Sequence, residues 1–324
     1  MDKRLEPIPD LFPDPMRAAV KSLLCERGAQ VEELRLRAGC RAGWVSAGRE
    51  LALGGQSFPP VTPELLEEIV RRASGYAVYA VQEQLRKGFL TLPGGHRLGV
   101  CGTASVENGA VKTIRSYQSL TMRFASQRMG CADPVAGFVR GNPDSTLILG
   151  PPGVGKTTVL RDLVRQMSDR CGCRMALVDE RGELAACRDG LPQLDVGKYT
   201  DVLTGFPKAD AIELLVRTMA PGWIALDEIT ASEDVTAMQR ASCCGVRFFA
   251  TAHAFRVSDL WNRPLYRGLL DTKVFQNVAL IRPDRSIVCE RMHDVLLQAD
   301  RGVPDLGRLP VGGLSCRPAP APDP

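Results

Sequence analysis

Apolar and polar positions follow two different rhythms along this 324-residue chain. In the first, Val31 to Arg37 alternates apolar and charged residues at period two, which predicts a half-exposed strand with Arg35 and Arg37 on one face. A helix is expected before it, from Met16 to Arg27 with Gly28 as its stop, and a small meander after it through Trp44-Val45 and Glu50 to Leu53. Thr62 is a good N-cap and Pro63 suits a first turn. Leu65, Leu66, Ile69, Val70 and Ala73 then form one apolar helix face that Gly75 ends. A further helix is expected over Val78 to Lys87. Strands follow over Phe89 to Leu92, His96 to Ser105 and Ala110 to Arg115, with turns at Pro93 to Gly95 and Asn108-Gly109. Residues 1–125 therefore read as a small N-terminal α+β domain, and 126–143 as a linker containing a short helix.

The second rhythm begins at residue 144 and runs to 295. Apolar runs that read as buried strands occur at Thr146 to Leu149, Arg174 to Val178, Trp223 to Leu226 and Val246 to Thr251. They alternate with helical spacing at Val159, Leu160, Leu163, Val164 and Met167, at Ile212, Leu215, Val216 and Met219, and over Glu233 to Ala241. Val274 to Ile281 and Ser286 to Glu290 suggest a terminal hairpin. This is an α/β pattern with a central sheet. Residues 296–324 read as a tail, proline-rich from Arg317 to Pro324.

Composition narrows the classes. The chain is 44% hydrophobic and 24% charged, as expected of a globular protein. Its net charge of +4 is spread without a dense basic tract, so nucleic acid is not indicated as a partner. No run of 18 uncharged apolar residues occurs, and Met1 to Pro7 has no signal-peptide core. A cytoplasmic protein without an integral membrane segment is expected, with peripheral membrane association open. Eleven cysteines are scattered without a C-x-x-C spacing, and there are three histidines. The cysteines read as mostly reduced, buried residues, and a zinc site is not expected.

One stretch carries chemistry. Gly150, Pro151, Pro152, Gly153, Val154, Gly155, Lys156, Thr157 and Thr158 satisfy G-x-x-x-x-G-K-[ST] between a strand and a helix, the context a phosphate-binding loop requires. Glycines let backbone N–H groups approach phosphates, and the helix N-terminus adds favourable partial charge. Lys156 would reach the β- and γ-phosphates, Thr157 would ligate Mg²⁺, and Thr158 would lie near the α-phosphate. A chance glycine-rich turn is the alternative, and the flanking elements argue against it.

Acidic groups stand at the ends of two later strands. Asp227 and Glu228 follow Trp223 to Leu226 in the form of a Walker B element, with Asp227 to hold Mg²⁺ and Glu228 to act as general base. Asp179, Glu180, Arg181 and Glu183 end another buried strand, where ligands bind in open α/β sheets; a merely charged loop is the alternative. His253 ends the strand after Asp227 and is a candidate γ-phosphate sensor, with a structural hydrogen-bonding role as the other reading. The basic set Arg35, Arg37, Arg97, Arg115 and Arg123 is either a solvated face or a source of arginines for a neighbouring subunit's nucleotide.

These stretches, in this order, resemble the stage III sporulation protein AA family, itself similar to the hexameric ATPases of type II and type IV secretion and pilus assembly. Glu33 to Arg37, Gly94 to Gly99 with Cys101-Gly102, the loop at 150–158, Asp179 to Arg181, Asp227 to Ile229 and Thr251 to His253 carry the likeness. The resemblance implies a P-loop (RecA/AAA+-like) ATPase core using ATP and Mg²⁺. It places Asp179, Glu180 and Glu183 in an acidic box near the metal and γ-phosphate, with Asp179 as a metal ligand and Glu180 as a catalytic group, and His253 in a histidine box. Arg115 and Arg123 fall where secretion ATPases place nucleotide-reaching arginines. It further implies a homo-hexamer that energises a membrane-embedded channel between mother cell and forespore from the cytosolic, mother-cell side. The four-cysteine insertion and C-terminal extension of many secretion ATPases are missing, and Asp227 is present where those often lack an aspartate. The chain thus looks like a compact sporulation-type member. A nucleic-acid-dependent ATPase tracking a backbone with Arg35 and Arg37, and a nucleotide-gated scaffold without turnover, are the other readings.

Overall fold

The two rhythms of the sequence become two sheets in the computed structural model, which describes residues 2–14, 16–54, 58–107, 110–125 and 127–300. The N-terminal part runs α1 (Met16–Arg27), β1 (Glu33–Arg37), β2 (Gly43–Ser46), β3 (Arg49–Ala52), α2 (Pro63–Ala73), α3 (Gln82–Arg86), β4 (Phe89–Thr91), β5 (Arg97–Glu107) and β6 (Ala110–Arg123). Its strands form a six-stranded sheet in the order β3-β2-β1-β6-β5-β4, with every neighbouring pair antiparallel. Alternation in β1 buries Leu34 and Leu36 beneath α1 and α2 and leaves Glu33, Arg35 and Arg37 half-exposed. Thr62 caps α2 as expected, accepting from the N–H of Leu65 at 3.2 Å. β6 is longer than its first six residues predict. It continues to Arg123 and its second half pairs with both β1 and β5. The Asn108-Gly109 turn and the proline-rich tail lie outside the described residues.

The second part runs α4 (Asp133–Gly141), β7 (Thr146–Gly150), α5 (Lys156–Cys171), β8 (Met175–Asp179), β9 (Thr200–Thr204), α6 (Lys208–Met219), β10 (Trp223–Leu226), α7 (Ser232–Cys243), β11 (Arg247–His253), α8 (Pro264–Asp271), β12 (Asn277–Ile281), β13 (Ile287–Arg291) and α9 (Met292–Asp300). Seven strands stand in the order β13-β12-β7-β11-β10-β8-β9, all parallel except the β12–β13 hairpin. Both faces are covered, which is why the strands read as unbroken apolar runs. Leu147, Leu149, Ile224, Leu226 and Phe248 pack with α6, α7 and α8. Ile148, Leu177, Ala225 and Phe249 pack on the other face with α4 and α5. This is an α/β P-loop NTPase fold with a crevice at the strand ends where β7 meets β11.

Three expectations are corrected. The short helix expected within the linker stretch is α4, but its Val135, Ala136 and Val139 are buried against α5, so it packs into the core instead of bridging. β9 was not expected. It is an edge strand with a half-exposed pattern, and polar Thr200, Asp201 and Thr204 masked it. Ten cysteines lie among the described residues and none is in a disulfide, but none is fully buried either: Cys25, Cys40, Cys101, Cys171, Cys243 and Cys244 are exposed. Cys171 and Cys243 end helices, Cys244 caps one, and the interior is filled by Ala, Val, Leu and Phe instead.

The N-terminal part docks on the loop after β8. Gly94 N–H donates to Oε1 of Gln193 at 3.0 Å, and Gln127 Nε2 donates to the carbonyl of Asp195 at 3.0 Å. Arg97 pairs with Glu183 at 3.2 Å while stacking over Phe89, 3.6 Å from its ring centre. His96 lies between them, 1% exposed, and joins three segments. Its Nδ1 accepts from Ala125 N–H at 3.0 Å, so Nε2 carries the proton and donates to the Arg4 carbonyl at 3.0 Å.

Candidate nucleotide site

β7 delivers the glycine loop into the crevice. A Cβ on Gly150 would lie 2.8 Å from Val154 Cγ1 and 3.0 Å from the Ile281 carbonyl, so glycine alone fits there. Gly155 has φ +107° and turns the chain into α5, leaving first-turn N–H groups without intrahelical partners. Gly153, Gly155, Lys156, Thr157 and Thr158 line a cleft of about 320 Å³. Pro152 is exposed at the loop tip and Val154 packs toward the core.

Lys156 is 6% exposed. Its ammonium donates to the carbonyls of Gly150 and Pro151, each at 3.0 Å, and to Nδ1 of His253 at 2.8 Å. Burial pushes its pKa down, against the opposing pull of Asp227 and Glu228. His253 ends β11 directly beside Gly150 in the sheet register. With Nδ1 accepting from an ammonium, the neutral ring carries its proton on Nε2, which reaches Oε1 of Glu228 at 3.0 Å. One imidazole therefore joins the loop lysine to the acid after β10.

The acids after β10 are held by β11. Leu226 faces Ala250 in register, which sets Asp227 beside Thr251. The Thr251 hydroxyl donates to Asp227 Oδ1 at 2.5 Å and accepts from the Glu228 N–H at 2.8 Å. Oδ2 of Asp227 takes the Thr157 hydroxyl at 2.7 Å. Glu228 has φ +43°, a left-handed conformation for a residue with a Cβ. Such geometry persists where the surroundings over-determine it, often at functional sites.

The β8 acids separate into distinct environments. Asp179 is 2% exposed. Its Oδ1 accepts the N–H groups of Glu183 at 2.8 Å and Leu184 at 3.1 Å, and its Oδ2 those of Ala185 at 2.8 Å and Ala186 at 3.3 Å. A carboxylate so engaged anchors its own loop, which departs from the metal-ligand role expected of it. Glu180 pairs with Lys208, and both line the cleft. Arg181 stands at the mouth, 4.0 Å from Oε2 of Glu228. Buried Arg161 on α5 donates to the carbonyls of Leu184 at 2.6 Å and Glu183 at 2.7 Å, tying the loop to the helix that starts at Lys156.

The arginines expected to serve a nucleotide divide. Arg123 lies opposite Arg97 in the β5–β6 register, and both border a cavity of about 360 Å³ shared with Thr158, Arg161 and Glu183. Arg123 also pairs with Glu33 at 3.2 Å. Arg115 sits eight positions back along β6, roughly 25 Å at strand spacing, with its guanidinium on Ser105; it does not line the cleft. Arg35 and Arg37 are engaged by Glu33 at 2.8 Å and Glu50 at 2.5 Å.

Three participants were not assigned from the sequence. Thr251 reads in the sequence as the last residue of an apolar strand; a polar residue within such a run is the available signal, and the structure buries it completely. Arg161 is a cation on the buried side of a helix. Lys208 opens α6, where the helix macrodipole disfavours a cation.

Comparison with known proteins gives the family and the fold. The family described as sporulation stage III, protein AA, matches residues 4–287. Stage III sporulation protein AA of Bacillus subtilis (strain 168) is 35% identical over 273 residues, covering 83% of this chain and 88% of that protein. Among solved structures, the fold is similar to the ATPase DotB of Legionella pneumophila, with a TM-score of 0.56 and 16% identity over 88% of this chain and 84% of that one. It is likewise similar to the pilus retraction motor PilT with bound ADP, at a TM-score of 0.55 and 16% identity over 86% of each chain. At such identities the structural likeness speaks for the fold. The chain belongs to the sporulation stage III protein AA family.

Proposed function

We propose that this protein is a Mg²⁺-dependent ATP hydrolase that works as a homo-hexameric ring at a membrane-embedded sporulation channel. The observation that carries the reading is the hydrogen-bonded chain from Lys156 through His253 to Glu228, set beside the Thr157–Asp227 pair in one cleft. Lys156 and the loop N–H groups would hold the β- and γ-phosphates. Glu228 would take the proton of the attacking water as its oxygen bonds the γ-phosphorus, and ADP would leave toward Lys156. Thr157 and Asp227 supply adjacent hard oxygen donors, which suits Mg²⁺. When bound there, the metal would neutralise charge on the phosphates. Among the described residues no group of three or more His, Cys, Asp or Glu side chains could hold a metal by itself. An ion sharing its coordination with phosphate oxygens and water needs no such group.

Arg181, Arg97 and Arg123 put cations near the cleft within one subunit. Arg115 is the candidate to reach a neighbour's nucleotide. An arginine supplied in trans is worth about 10³–10⁵ in rate, so activity per subunit should rise with protein concentration across the assembly range. The engagement of Arg35 and Arg37 by acids weakens the nucleic-acid reading. No helix of the described residues is long and apolar enough to cross a membrane, so attachment to the channel would be peripheral, from the cytoplasmic, mother-cell side.

Glu228→Gln tests the assignment. Loss of hydrolysis with retained, trapped ATP supports an enzyme, and unchanged function in sporulation supports a nucleotide-gated scaffold. Parallel assays with GTP fix the base preference.

A further inference from the structure

Glu180 and Glu228 follow the ends of neighbouring strands at matching positions, because Leu226 of β10 faces Val178 of β8. Both line the cleft, but they are held differently. Glu228 is reached by His253 and Arg181, groups at the cleft itself. Glu180 lies on the irregular chain after β8, and its Oε2 is taken by Lys208, which belongs to another element.

Lys208 is unusual in three respects. It is only 6% exposed, so its ammonium is largely stripped of water. It opens α6 with Asp210 in the same first turn, at the helix end where the backbone dipole opposes a positive charge. And α6 is fixed, with Ala211, Ile212 and Leu215 in the core beneath the sheet. A buried cation at that end of a rigid helix is costly unless a carboxylate compensates it. The compensating group is a cleft carboxylate on a loop.

Resting on the hydrolase reading, we propose that Lys208 is a positioning residue that fixes Glu180 over the cleft as a second water-orienting carboxylate beside Glu228. Lys156 and Lys208 thus divide the work. Lys156 lies within the glycine loop and serves the phosphates. Lys208 contacts Glu180 and serves the nucleophile through it. Glu180 orients the water by hydrogen bonding, and the transferred proton goes to Glu228. A carboxylate released from that ammonium loses this alignment, and misplacement of about 1 Å can cost about 10²-fold in rate.

The test uses the full chain with ATP and Mg²⁺, measuring kcat, and the affinity of a fluorescent ATP analogue separately. Lys208→Met keeps the buried stem and removes the charge. Glu180 has a side chain 36% exposed, so water can solvate the released carboxylate and folding should survive. Expected are a fall in kcat of about 10²-fold with affinity within threefold of wild type, and partial recovery in Lys208→Arg. Glu180→Gln should match Lys208→Met, and the double variant should be no slower than either single one, since both remove the same alignment. The inference is overturned if Lys208→Met turns over within threefold of wild type, if affinity falls in step with kcat as for a phosphate-binding cation, or if the two losses multiply. A wild-type protein that binds ATP without turning it over would instead overturn the hydrolase reading, and this inference with it.

Discussion

Nδ1 of His253 lies 2.8 Å from the ammonium of Lys156. The ring is therefore an acceptor on that side and a donor to Glu228, 3.0 Å away on the other. A nucleotide that draws Lys156 away from His253 would change the hydrogen bonding of the ring that orients Glu228. His253→Ala should then lower turnover by about 10²-fold, the cost of a misoriented catalytic group, while ATP affinity stays within a few-fold. His253→Gln, which can still accept and donate, should recover part of the loss. Steady-state kinetics alongside equilibrium binding checks both. Equal losses in affinity and turnover would make His253 a phosphate ligand instead.

Thr251 offers a cleaner substitution, because valine matches its shape. Thr251→Val removes the donor to Asp227 and the acceptor for the Glu228 N–H. Leaving partly buried partners unsatisfied costs about 1 kcal/mol, the lower end for such groups, which urea unfolding would read. The Mg²⁺ concentration for half-maximal activity should rise, since Asp227 loses the group that orients it. Thr251→Ser should behave almost as wild type in both assays.

Which of these features the sequence discloses follows from how local each one is. The loop at 150–158 is a contiguous pattern, and every spacing in it is visible in the chain. Asp227 and Glu228 are legible because the buried strand that ends on them follows the glycine loop at 150–158; without that loop, a strand ending in acids would not single them out. Thr251 and Lys208 act through register and through helix placement, which link positions 24 and 28 residues from their partners. No periodicity encodes such pairings. The basic stripe is conspicuous in the chain, but only the fold shows which acids its members meet: Glu33, two residues from Arg35 on β1 and opposite Arg123 on β6, and Glu50 of β3 against Arg37. The metal-ligand role expected of Asp179 comes from the family resemblance. Only the fold of residues 183–186 shows its oxygens occupied by backbone.

Asp179 accordingly should matter first for stability. Asp179→Ala leaves four N–H groups without their acceptor and loosens the loop that bears Glu180 and Glu183. Loss of hydrogen bonds to a charged group argues for a destabilisation of about 3 kcal/mol, with Asp179→Asn intermediate because one acceptor oxygen remains. Limited proteolysis should cut first within residues 180–199. A metal ligand would give the reverse result, with altered Mg²⁺ dependence at unchanged stability.

His96 gives the fold a dependence on pH. Burial lowers its pKa from 6.5 to about 4, and its Nδ1 must stay unprotonated to accept from Ala125. Between those two values the unfolded chain binds a proton that the folded chain does not. Stability from this group is therefore complete above about pH 6.5, falls as pH drops through the window, and levels off below about pH 4. At roughly 1.4 kcal/mol per pKa unit the full difference is about 3 kcal/mol. Carboxylates also titrate at the lower end, so the measurement is a difference: urea unfolding of wild type and His96→Gln at several pH values. The variant should be less stable at pH 7.5, where its bonds to Arg4 and Ala125 are impaired, and should lose less stability on acidification to pH 4.5. Parallel curves for the two proteins would show that His96 is not the group that titrates.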